Sequence, residues 1–322
     1  MVQRSSSALN RKRILVTGGA GYVGSVMVPR LLEEGHEVIV LDNMLYGQTS
    51  LLGVAHHERF SFVRGDARDE RLLRELLPQV EAIIPLAAMV GAPACDRDPI
   101  LAKSLNVGAI HSLIKLRSPQ QSIIFPMTNS GYGTQSGDVY CTEETPLEPI
   151  SLYGQNKAQA EKELLESGNV VTLRMATIFG VSPRMRLDLL VNQFVYEALF
   201  RGYIVIYEKH FKRNYIHIRD VADCFNFCLE NFELLKDEPY NLGLDEANYN
   251  KEELANLIKI YLPKLNIIFS DIGTDPDQRN YIVSNAKLQE RGFTAHRGVE
   301  QGIQELIKAY QMLPTSGVNQ NA

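Results

Sequence analysis

The sequence predicts an α/β protein built on a doubly wound parallel sheet, with a smaller mixed α/β lobe that binds substrate. Two observations favour this fold class: short apolar runs alternate with helical patterns through the first half of the chain, and those runs are apolar nearly throughout. Strands covered by helices on both faces have that continuous apolar pattern. The 322 residues, 45% of them hydrophobic, suffice for one large domain or two closely joined ones.

The elements follow in a regular order. Strands are predicted for "RILVT", "EVIVLD", "FSFVRGD", "AIIPLAA", "SIIFPMT" and "VVTLRMA". Helices are predicted over 22–34, 102–116 and 153–166. After about residue 180 the alternation loosens, and "RMRLDLLVNQFVYEALFRG" predicts one long amphipathic helix.

These patterns divide the chain into two parts. We expect a dinucleotide-binding domain over 11–180, to which 213–235 returns. The substrate lobe is expected to comprise 181–212 and 236–312, and the polar ends 1–10 and 313–322 are expected to be flexible tails.

Charge and cysteine content exclude several classes of protein. The 33 Lys and Arg residues against 38 Asp and Glu give a net charge of −5, which offers no basic surface for nucleic acid. None of the four cysteines forms a C-x-x-C pair, and Cys224 and Cys228 in "VADCFNFCLE" are expected to pack in a core rather than bind metal. The sequence contains neither a secretory signal pattern nor an apolar run long enough to cross a membrane, so we expect a cytoplasmic protein.

A glycine pattern opens the first helix. Gly18, Gly21 and Gly24 follow "RILVT" and precede a second strand. Glycines at this spacing allow a tight turn and close backbone approach to a pyrophosphate, whose charge is favoured at a helix N-terminus. Because the pattern lies between a strand and a helix, it predicts a dinucleotide-binding Rossmann domain.

Two aspartates after the next strands suit the adenosine half of such a cofactor. Asp42 ends the second strand, where a carboxylate accepts hydrogen bonds from a ribose diol and repels a 2′-phosphate. NAD is therefore expected over NADP, although Asp42 could also be an ordinary acidic strand end. Asp66 in "RGDARD" is a candidate acceptor for the adenine amino group, and its alternative is a helix N-cap.

Catalytic residues are suggested by "SLYGQNKAQAEK". Tyr153 and Lys157 are four residues apart on one helical face, so the ammonium can favour the phenolate. Lowering a tyrosine pKa by roughly three units requires about 4 kcal/mol, which charges a few ångströms apart can supply. Thr128 adds a hydroxyl at the end of "SIIFPMT".

Together these residues resemble the extended short-chain dehydrogenase/reductase family, in its nucleotide-sugar epimerase/dehydratase branch. Further matches are "LAA" at 86–88, Asn106 in "SLNVGAI", "TLRMATIFG", "NYIHIRDVAD" and "YNLG". The resemblance implies catalysis by Thr128, Tyr153 and Lys157, no metal, and a homodimer formed through the helices over 102–116 and 153–166. It implies NAD contacts from Gly18, Gly21, Tyr22, Val23, Asp42, Asn43, Asp66, Ala67, Leu86, Ala87, Ala88, Asn106, Tyr153 and Lys157.

The substrate is expected to meet a second set of residues. Arginines suit the pyrophosphate of a sugar nucleotide because the planar guanidinium binds phosphate oxygens bidentately, although single arginines are often surface charges. The expected substrate contacts are Thr128, Asn129, Ser130, Thr177, Arg184, Arg186, Asn192, Arg213 and Arg279. Asn192 could equally be a helix-surface amide, and His217 is expected to be a hydrogen-bonded core histidine.

Two departures from the family's patterns reduce the number of reactions expected of this chain. The 4,6-dehydratases follow the threonine with Asp-Glu, and here those positions are Asn129 and Ser130. The GDP-ketosugar epimerase-reductases carry a cysteine two residues before the tyrosine that Tyr132 matches, and here that position is also Ser130. What remains is oxidation and reduction at C4 of the sugar, by a 4-dehydrogenase or a 4-epimerase.

Less usual strings favour one subgroup. "MVGAPACDRDP", "FGVSPRMRLDLLVNQF" and "DPDQRNYIVSN" are similar to the GDP-D-glycero-D-manno-heptose 4-dehydrogenases. A hypothesis from another class is a non-catalytic NAD sensor that reuses the fold. The presence of Thr128, Tyr153 and Lys157 together favours the enzyme.

Overall fold

The structure is a computed structural model, and it describes residues 11–134, 140–270 and 282–313. Within these ranges the strands are β1 (Arg13–Thr17), β2 (Glu37–Asp42), β3 (Phe60–Arg64), β4 (Ala82–Pro85), β5 (Ser122–Thr128), β6 (Tyr140–Cys141), β7 (Val170–Met175), β8 (Thr177–Phe179), β9 (Tyr203–Ile206), β10 (Lys212–His217), β11 (Glu238–Leu242), β12 (Asn248–Asn250), β13 (Asn266–Phe269) and β14 (Ile282–Val283).

The helices complete the framework. They are α1 (Gly24–Glu33), α2 (Glu70–Leu76), α3 (Ala92–Arg97), α4 (Pro99–Lys103), α5 (Ala109–Leu116), α6 (Leu152–Ser167), α7 (Leu190–Phe200), α8 (Ile218–Glu230), α9 (Phe232–Leu235), α10 (Lys251–Tyr261), α11 (Ala286–Glu290) and α12 (Val299–Tyr310). A π-helical turn, Ser104–Gly108, joins α4 to α5.

The predicted doubly wound parallel sheet is confirmed. Seven strands pair in the order β3-β2-β1-β4-β5-β7-β11, and every pair is parallel. Helices α1 and α8 cover one face, while α2, α5 and α6 cover the other. The strand order reverses between β1 and β4, which is where a sheet of this kind leaves a crevice.

Burial on both faces explains the continuous apolar strands. Successive side chains of a strand point to opposite faces of its sheet. In β1, Ile14 and Val16 pack against α1 and α8, whereas Leu15 between them packs on the other face. All three are fully buried, so the middle of this strand is apolar on both faces.

Two expectations for the second half of the chain were wrong. β11 pairs in parallel with β7 as the outer strand of the large sheet, although it lies in the range 236–312 that the sequence analysis gave to the smaller lobe. The pairing gives hydrogen-bond partners to the backbone groups on the outer edge of β7, and it buries Tyr240 and Leu242. The long helix expected from residue 184 begins only at Leu190, because 184–189 run irregularly along a cleft.

The smaller lobe has its own core. Helices α7, α10 and α12 pack together around buried residues such as Phe194, Leu254 and Ile303. Short strands complete the lobe, in a three-stranded sheet of β12, β10 and β8 and a parallel pair of β13 and β9. In the ranges described, no helix combines the length and the apolar character needed to span a bilayer.

Candidate active site

A cleft of about 830 Å³ lies between the sheet and the smaller lobe. Its floor is formed where β1, β2, β4, β5 and β7 end, because Gly18, Asp42, Leu86, Thr128 and Met175 all line it. Its opposite wall comes from the segment before α7, from α7 itself and from β9 and β10. Ligands of doubly wound proteins bind at this edge of the sheet.

The glycine loop is shaped for close approach to a ligand. Gly18 has a φ of 71°, and a Cβ added there would lie 2.6 Å from the amide nitrogen of Ala87. A Cβ on Gly24 would lie 2.4 Å from the carbonyl oxygen of Gly19. Only glycine fits these positions, and the loop leads directly into the N-terminus of α1, so it fits the pyrophosphate of NAD.

The remaining residues expected to contact the cofactor lie mostly in the same cleft. Besides Gly18 and Asp42, its lining includes Gly21, Tyr22, Val23, Asn43, Asp66, Ala67, Leu86, Ala87 and Ala88. They belong to loops after four parallel strands, and the sheet brings their ends together. This edge therefore offers one continuous surface for a dinucleotide.

Asp42 is held firmly at the end of β2. Its carboxylate accepts hydrogen bonds from the backbone N–H groups of Ala20 (3.0 Å) and Met44 (2.8 Å) and from Nε2 of Gln48 (3.3 Å). These contacts fix the loop after β2 against the glycine loop. The carboxylate itself lines the cleft, where a ribose diol is expected.

Asp66 pairs with Arg68 and does not cap a helix. The guanidinium of Arg68 donates to both carboxylate oxygens (2.9 and 2.6 Å), and these hydrogen bonds lower the pKa of Asp66. The cap of α2 is Asp69, which accepts from the backbone N–H of Arg71 at 2.8 Å. The N-cap alternative for Asp66 was therefore wrong.

The structure brings Thr128, Tyr153 and Lys157 to one wall of the cleft. Ser151 caps α6 by accepting the backbone N–H of Gly154 at 3.1 Å, so the helix starts just before Tyr153. The i,i+4 spacing then places Tyr153 and Lys157 on the same face, beside the end of β5.

Lys157 is almost completely buried, with 3% of its surface exposed. Burial lowers its pKa to about 7, against an opposing contribution from the Glu161 carboxylate one turn along the helix. The charge of this lysine therefore changes close to neutral pH.

Two hydroxyls at the C-terminal end of β5 form a pair. Thr128 Oγ1 lies 2.8 Å from Ser130 Oγ and accepts the backbone N–H of Ser130 at 3.2 Å. Both side chains line the cleft. Asn129 between them does not, because its side chain is fully buried behind the wall.

Two further asparagines expected to contact ligands bind the backbone instead. Asn106 accepts the N–H of Met89 at 2.8 Å and donates to its carbonyl at 2.9 Å. Asn192 accepts from the N–H of Gly180 at 3.0 Å and donates to the hydroxyl of Tyr22 at 3.2 Å. Neither lines the cleft, because these amides satisfy buried polar groups of irregular chain.

The part of the cleft that faces the smaller lobe is rich in arginine. Thr177, Arg184, Arg186 and Arg213 line it, and the three arginines are buried. Arg186 forms an ion pair with Asp188. Arg279, also expected here, lies outside the described residues.

Several lining residues were missed by the sequence analysis. They are Tyr46, Gln48, Arg97, Asp188, Tyr207 and Lys251. Only Tyr46 and Gln48 could have been found, because they follow Asp42 closely in "DNMLYGQ". The others come from distant elements and no local pattern identifies them.

His217 and the cysteines have structural roles. His217 Nδ1 accepts the backbone N–H of Arg219 at 3.2 Å, and its Nε2 lies 3.1 Å from Glu305, so the expected hydrogen-bonded core histidine is confirmed. Cys95, Cys141, Cys224 and Cys228 are all buried thiols. In the part of the chain that the structure describes, no group of three His, Cys, Asp or Glu side chains could hold a metal ion.

Comparison with known proteins identifies the family. The model of the NAD dependent epimerase/dehydratase family matches residues 14–243. The chain belongs to this family. Membership makes it an NAD-dependent enzyme, and the glycine loop and Asp42 are suited to that cofactor.

Relatives in this family have different activities. UDP-glucuronic acid decarboxylase 1 of Arabidopsis thaliana is 29% identical over 293 residues, which are 87% of this chain and only 65% of that longer protein. UDP-glucose 4-epimerase 2 of the same plant is 25% identical over 92% of this chain and 94% of its own length.

Solved structures show the same fold. The dTDP-glucose 4,6-dehydratase of Bacillus anthracis, in complex with NAD, has a TM-score of 0.81 and 26% identity over 93% of this chain and 96% of its own. The UDP-glucose 4-epimerase of Thermus thermophilus, also with NAD, has a TM-score of 0.79 and 25% identity over 93% and 99%.

Proposed function

We propose that this enzyme oxidises C4 of a nucleotide-diphosphate sugar, and that its substrate is GDP-D-glycero-D-manno-heptose. One observation carries the proposal: Thr128, Tyr153 and Lys157 line one cleft with the glycine loop, and no carboxylate follows the threonine. The heptose is proposed from the resemblance of "MVGAPACDRDP" and "FGVSPRMRLDLLVNQF" to the 4-dehydrogenase subgroup.

The chain's own residues have separate roles in this reaction. Tyr153, as phenolate, takes the proton of the C4 hydroxyl, and the neighbouring Lys157 favours the phenolate when it is charged. Thr128 donates a hydrogen bond to the same sugar oxygen, with its own hydroxyl oriented by Ser130. NAD, when bound, supplies the acceptor for the hydride that leaves C4.

Dehydration is disfavoured by what surrounds the threonine. Removal of water across C5 and C6 needs an acid and a base there. Ser130 offers a hydroxyl, and the Asn129 amide is buried away from the cleft. Neither group titrates in the range that general acid–base catalysis uses. The chemistry proposed at this site therefore stops at the keto sugar and its reduction, without loss of water.

The nucleotide diphosphate is proposed to lie at the lobe side of the cleft. Arg213 is buried on β10, in the wall that faces the sheet, and Arg186 lies near the start of α7. Guanidinium groups there suit phosphate oxygens. Thr177, at the start of β8, is proposed to contact the sugar.

A 4-epimerase is the second candidate. Its support is that UDP-glucose 4-epimerases recur among the relatives and the structural neighbours. An epimerase performs the same oxidation, but the keto sugar turns in the cleft and takes the hydride back on its other face. A dehydrogenase releases the keto sugar and leaves NADH to be reoxidised.

Product analysis separates the two. The purified protein is incubated with GDP-D-glycero-D-manno-heptose and NAD, while NADH fluorescence and the mass of the sugar nucleotide are followed. A product lighter by two hydrogens, with NADH formed, supports the 4-dehydrogenase. An unchanged mass with altered stereochemistry at C4 supports the epimerase. If neither this compound nor a panel of UDP- and dTDP-sugars is changed, the proposal is wrong.

A cytoplasmic homodimer is proposed with this activity. The interface would involve the ranges 102–116 and 153–166 that the family resemblance indicates, which are the end of α4, the π-helical turn and α5 on one side and α6 on the other. Light scattering is expected to give twice the chain mass of 36.2 kDa, and a monomer would contradict it.

A further inference from the structure

Segment 182–188, which precedes α7, packs directly on the glycine loop. Ser182 Oγ donates to the carbonyl of Tyr22 at 2.7 Å and lies 2.8 Å from Ser25 Oγ. The hydroxyl of Tyr22 donates to the carbonyl of Gly180 at 2.7 Å. These buried bonds join residues 157 to 160 positions apart, so the segment is fixed over the loop.

This packing places Arg184 close to the residues expected to bind the adenosine half of NAD. Its guanidinium lies 4.2 Å from the centroid of the Tyr46 ring, and Tyr46 follows Asp42 in the loop after β2. Its backbone N–H donates to Ser182 Oγ at 3.2 Å. Arg184 thus lies between the glycine loop and the loop that follows Asp42.

Burial gives this arginine an unusual setting. Only 1% of its surface is exposed, although it lines the cleft. Removing a guanidinium from water is costly unless anionic or polar groups surround it. Its Nη1 donates to the carbonyl of Met185 at 2.8 Å, and Arg186 and Asp188, which form an ion pair with each other, are the charged groups near it in its own segment.

We infer that Arg184 binds the pyrophosphate of the dinucleotide cofactor rather than that of the sugar nucleotide, and that Tyr46 holds its guanidinium in place. The glycine loop and the N-terminus of α1 supply backbone N–H groups from one side, and Arg184 supplies a bidentate cation from the lobe side. The assignment needs only NAD as cofactor and does not depend on which sugar is used.

A consequence follows for cofactor release. Because segment 182–188 is tied to Tyr22 and Ser25, we expect NAD to dissociate faster when these bonds between the lobe and the glycine loop are weakened. The enzyme is therefore expected to retain NAD through purification.

The test compares affinities for the two pyrophosphates. Full-length protein is freed of nucleotide, and calorimetry measures binding of ADP-ribose, which carries the adenosine and pyrophosphate of NAD, and of GDP and UDP, which represent the sugar nucleotide. Arg184→Met is expected to weaken ADP-ribose roughly 10- to 100-fold and to lose copurifying NAD, with GDP and UDP unchanged. Arg213→Met, the matched control, is expected to weaken the binding of GDP and UDP and to leave the affinity for ADP-ribose unchanged.

The opposite pattern would overturn the inference. It is wrong if Arg184→Met keeps its affinity for ADP-ribose and loses that for GDP and UDP. Should Arg184→Met fail to fold, Tyr46→Leu decides, because Tyr46 is 45% exposed and its replacement leaves the core intact. Tyr46→Leu is expected to weaken ADP-ribose about threefold while Tyr46→Phe does not. Equal affinities in these two variants would also contradict the assignment.

Discussion

The ammonium nitrogen of Lys157 lies 3.8 Å from the centroid of the Phe125 ring, inside the wall that carries Thr128 and Tyr153. Phe125 is in β5, three residues before Thr128, so the strand that presents the hydroxyl also contacts the lysine. The ring face partly compensates the charge. Burial still lowers the pKa of Lys157 to about 7, so the lysine destabilises the folded state most strongly below that pH.

Stability should therefore depend on pH through Lys157. The unfolded lysine stays protonated to about pH 10.4, whereas the folded one releases its proton above about 7. Between these values the unfolded state binds more protons, so folding becomes more favourable as pH rises. Urea unfolding should show Lys157→Met more stable than the wild type at pH 7, with that advantage falling by about 2 to 3 kcal/mol at pH 9.

The control is Lys162→Met, on the same helix but exposed and paired with Glu166. Its effect on the free energy of unfolding should be small at both pH values. A pH-independent difference between Lys157→Met and wild type would show that Lys157 keeps an ordinary pKa.

Glu161, on the same helix as Lys157, binds two side chains of β7. Its carboxylate accepts from Nε and Nη2 of Arg174 (3.0 to 3.2 Å) and from the hydroxyl of Thr172 at 2.7 Å, and both members of the ion pair are buried. Glu161→Gln should cost about 3 to 5 kcal/mol in urea unfolding, because it leaves the arginine without a balancing charge. Glu163→Gln, more exposed on the same helix, should cost less than about 1 kcal/mol. Equal costs would contradict this account.

Tyr22 links the glycine loop to the lobe. Its hydroxyl donates to Gly180 and accepts from Asn192, so Tyr22→Phe leaves two buried groups without that partner. The expected loss is about 1 to 3 kcal/mol in unfolding free energy, together with faster NAD dissociation measured by stopped-flow fluorescence. Tyr203→Phe, at a tyrosine that is 43% exposed, serves as the control and should change neither quantity. If Tyr22→Phe released NAD at the wild-type rate, the bonds of Tyr22 to the lobe would have no part in holding the cofactor.

The two hydroxyls after β5 should contribute unequally to turnover. Thr128→Val removes the group proposed to contact the sugar oxygen, and kcat should fall about 10- to 1000-fold with little change in NAD affinity. Ser130→Ala removes only the partner that orients Thr128, 2.8 Å away, and the fall should be smaller. If Ser130→Ala proved the more damaging change, Ser130 rather than Thr128 would contact the substrate.

Much of the cofactor half of the site could be predicted from the sequence. Gly18, Gly21 and Asp42 are local features of one strand–helix–strand unit, and the spacing of Tyr153 and Lys157 is a property of one helix. Parallel strands end at the same edge of the sheet, so residues after those strands meet. Thr128 belongs with them for that reason.

The amides could not be assigned in the same way. Asn106 and Asn192 lie in helical segments, but tertiary packing turns them toward the carbonyls and N–H groups of irregular chain. A sequence pattern does not reveal where buried backbone groups need partners. The ammonium of Lys157 is a similar case, because its burial, and hence its lowered pKa, depends on β5.

Hydride transfer from C4 of the sugar to the cofactor can be followed with an isotope. A GDP-heptose carrying deuterium at C4 is mixed with excess enzyme for a single turnover, the protein is denatured, and the cofactor is analysed by mass spectrometry. The wild type is expected to yield reduced cofactor one mass unit heavier than NADH, and Tyr153→Phe is expected to yield no reduced cofactor. Conversion of the sugar with the deuterium retained at C4 throughout, and unlabelled cofactor, would contradict it.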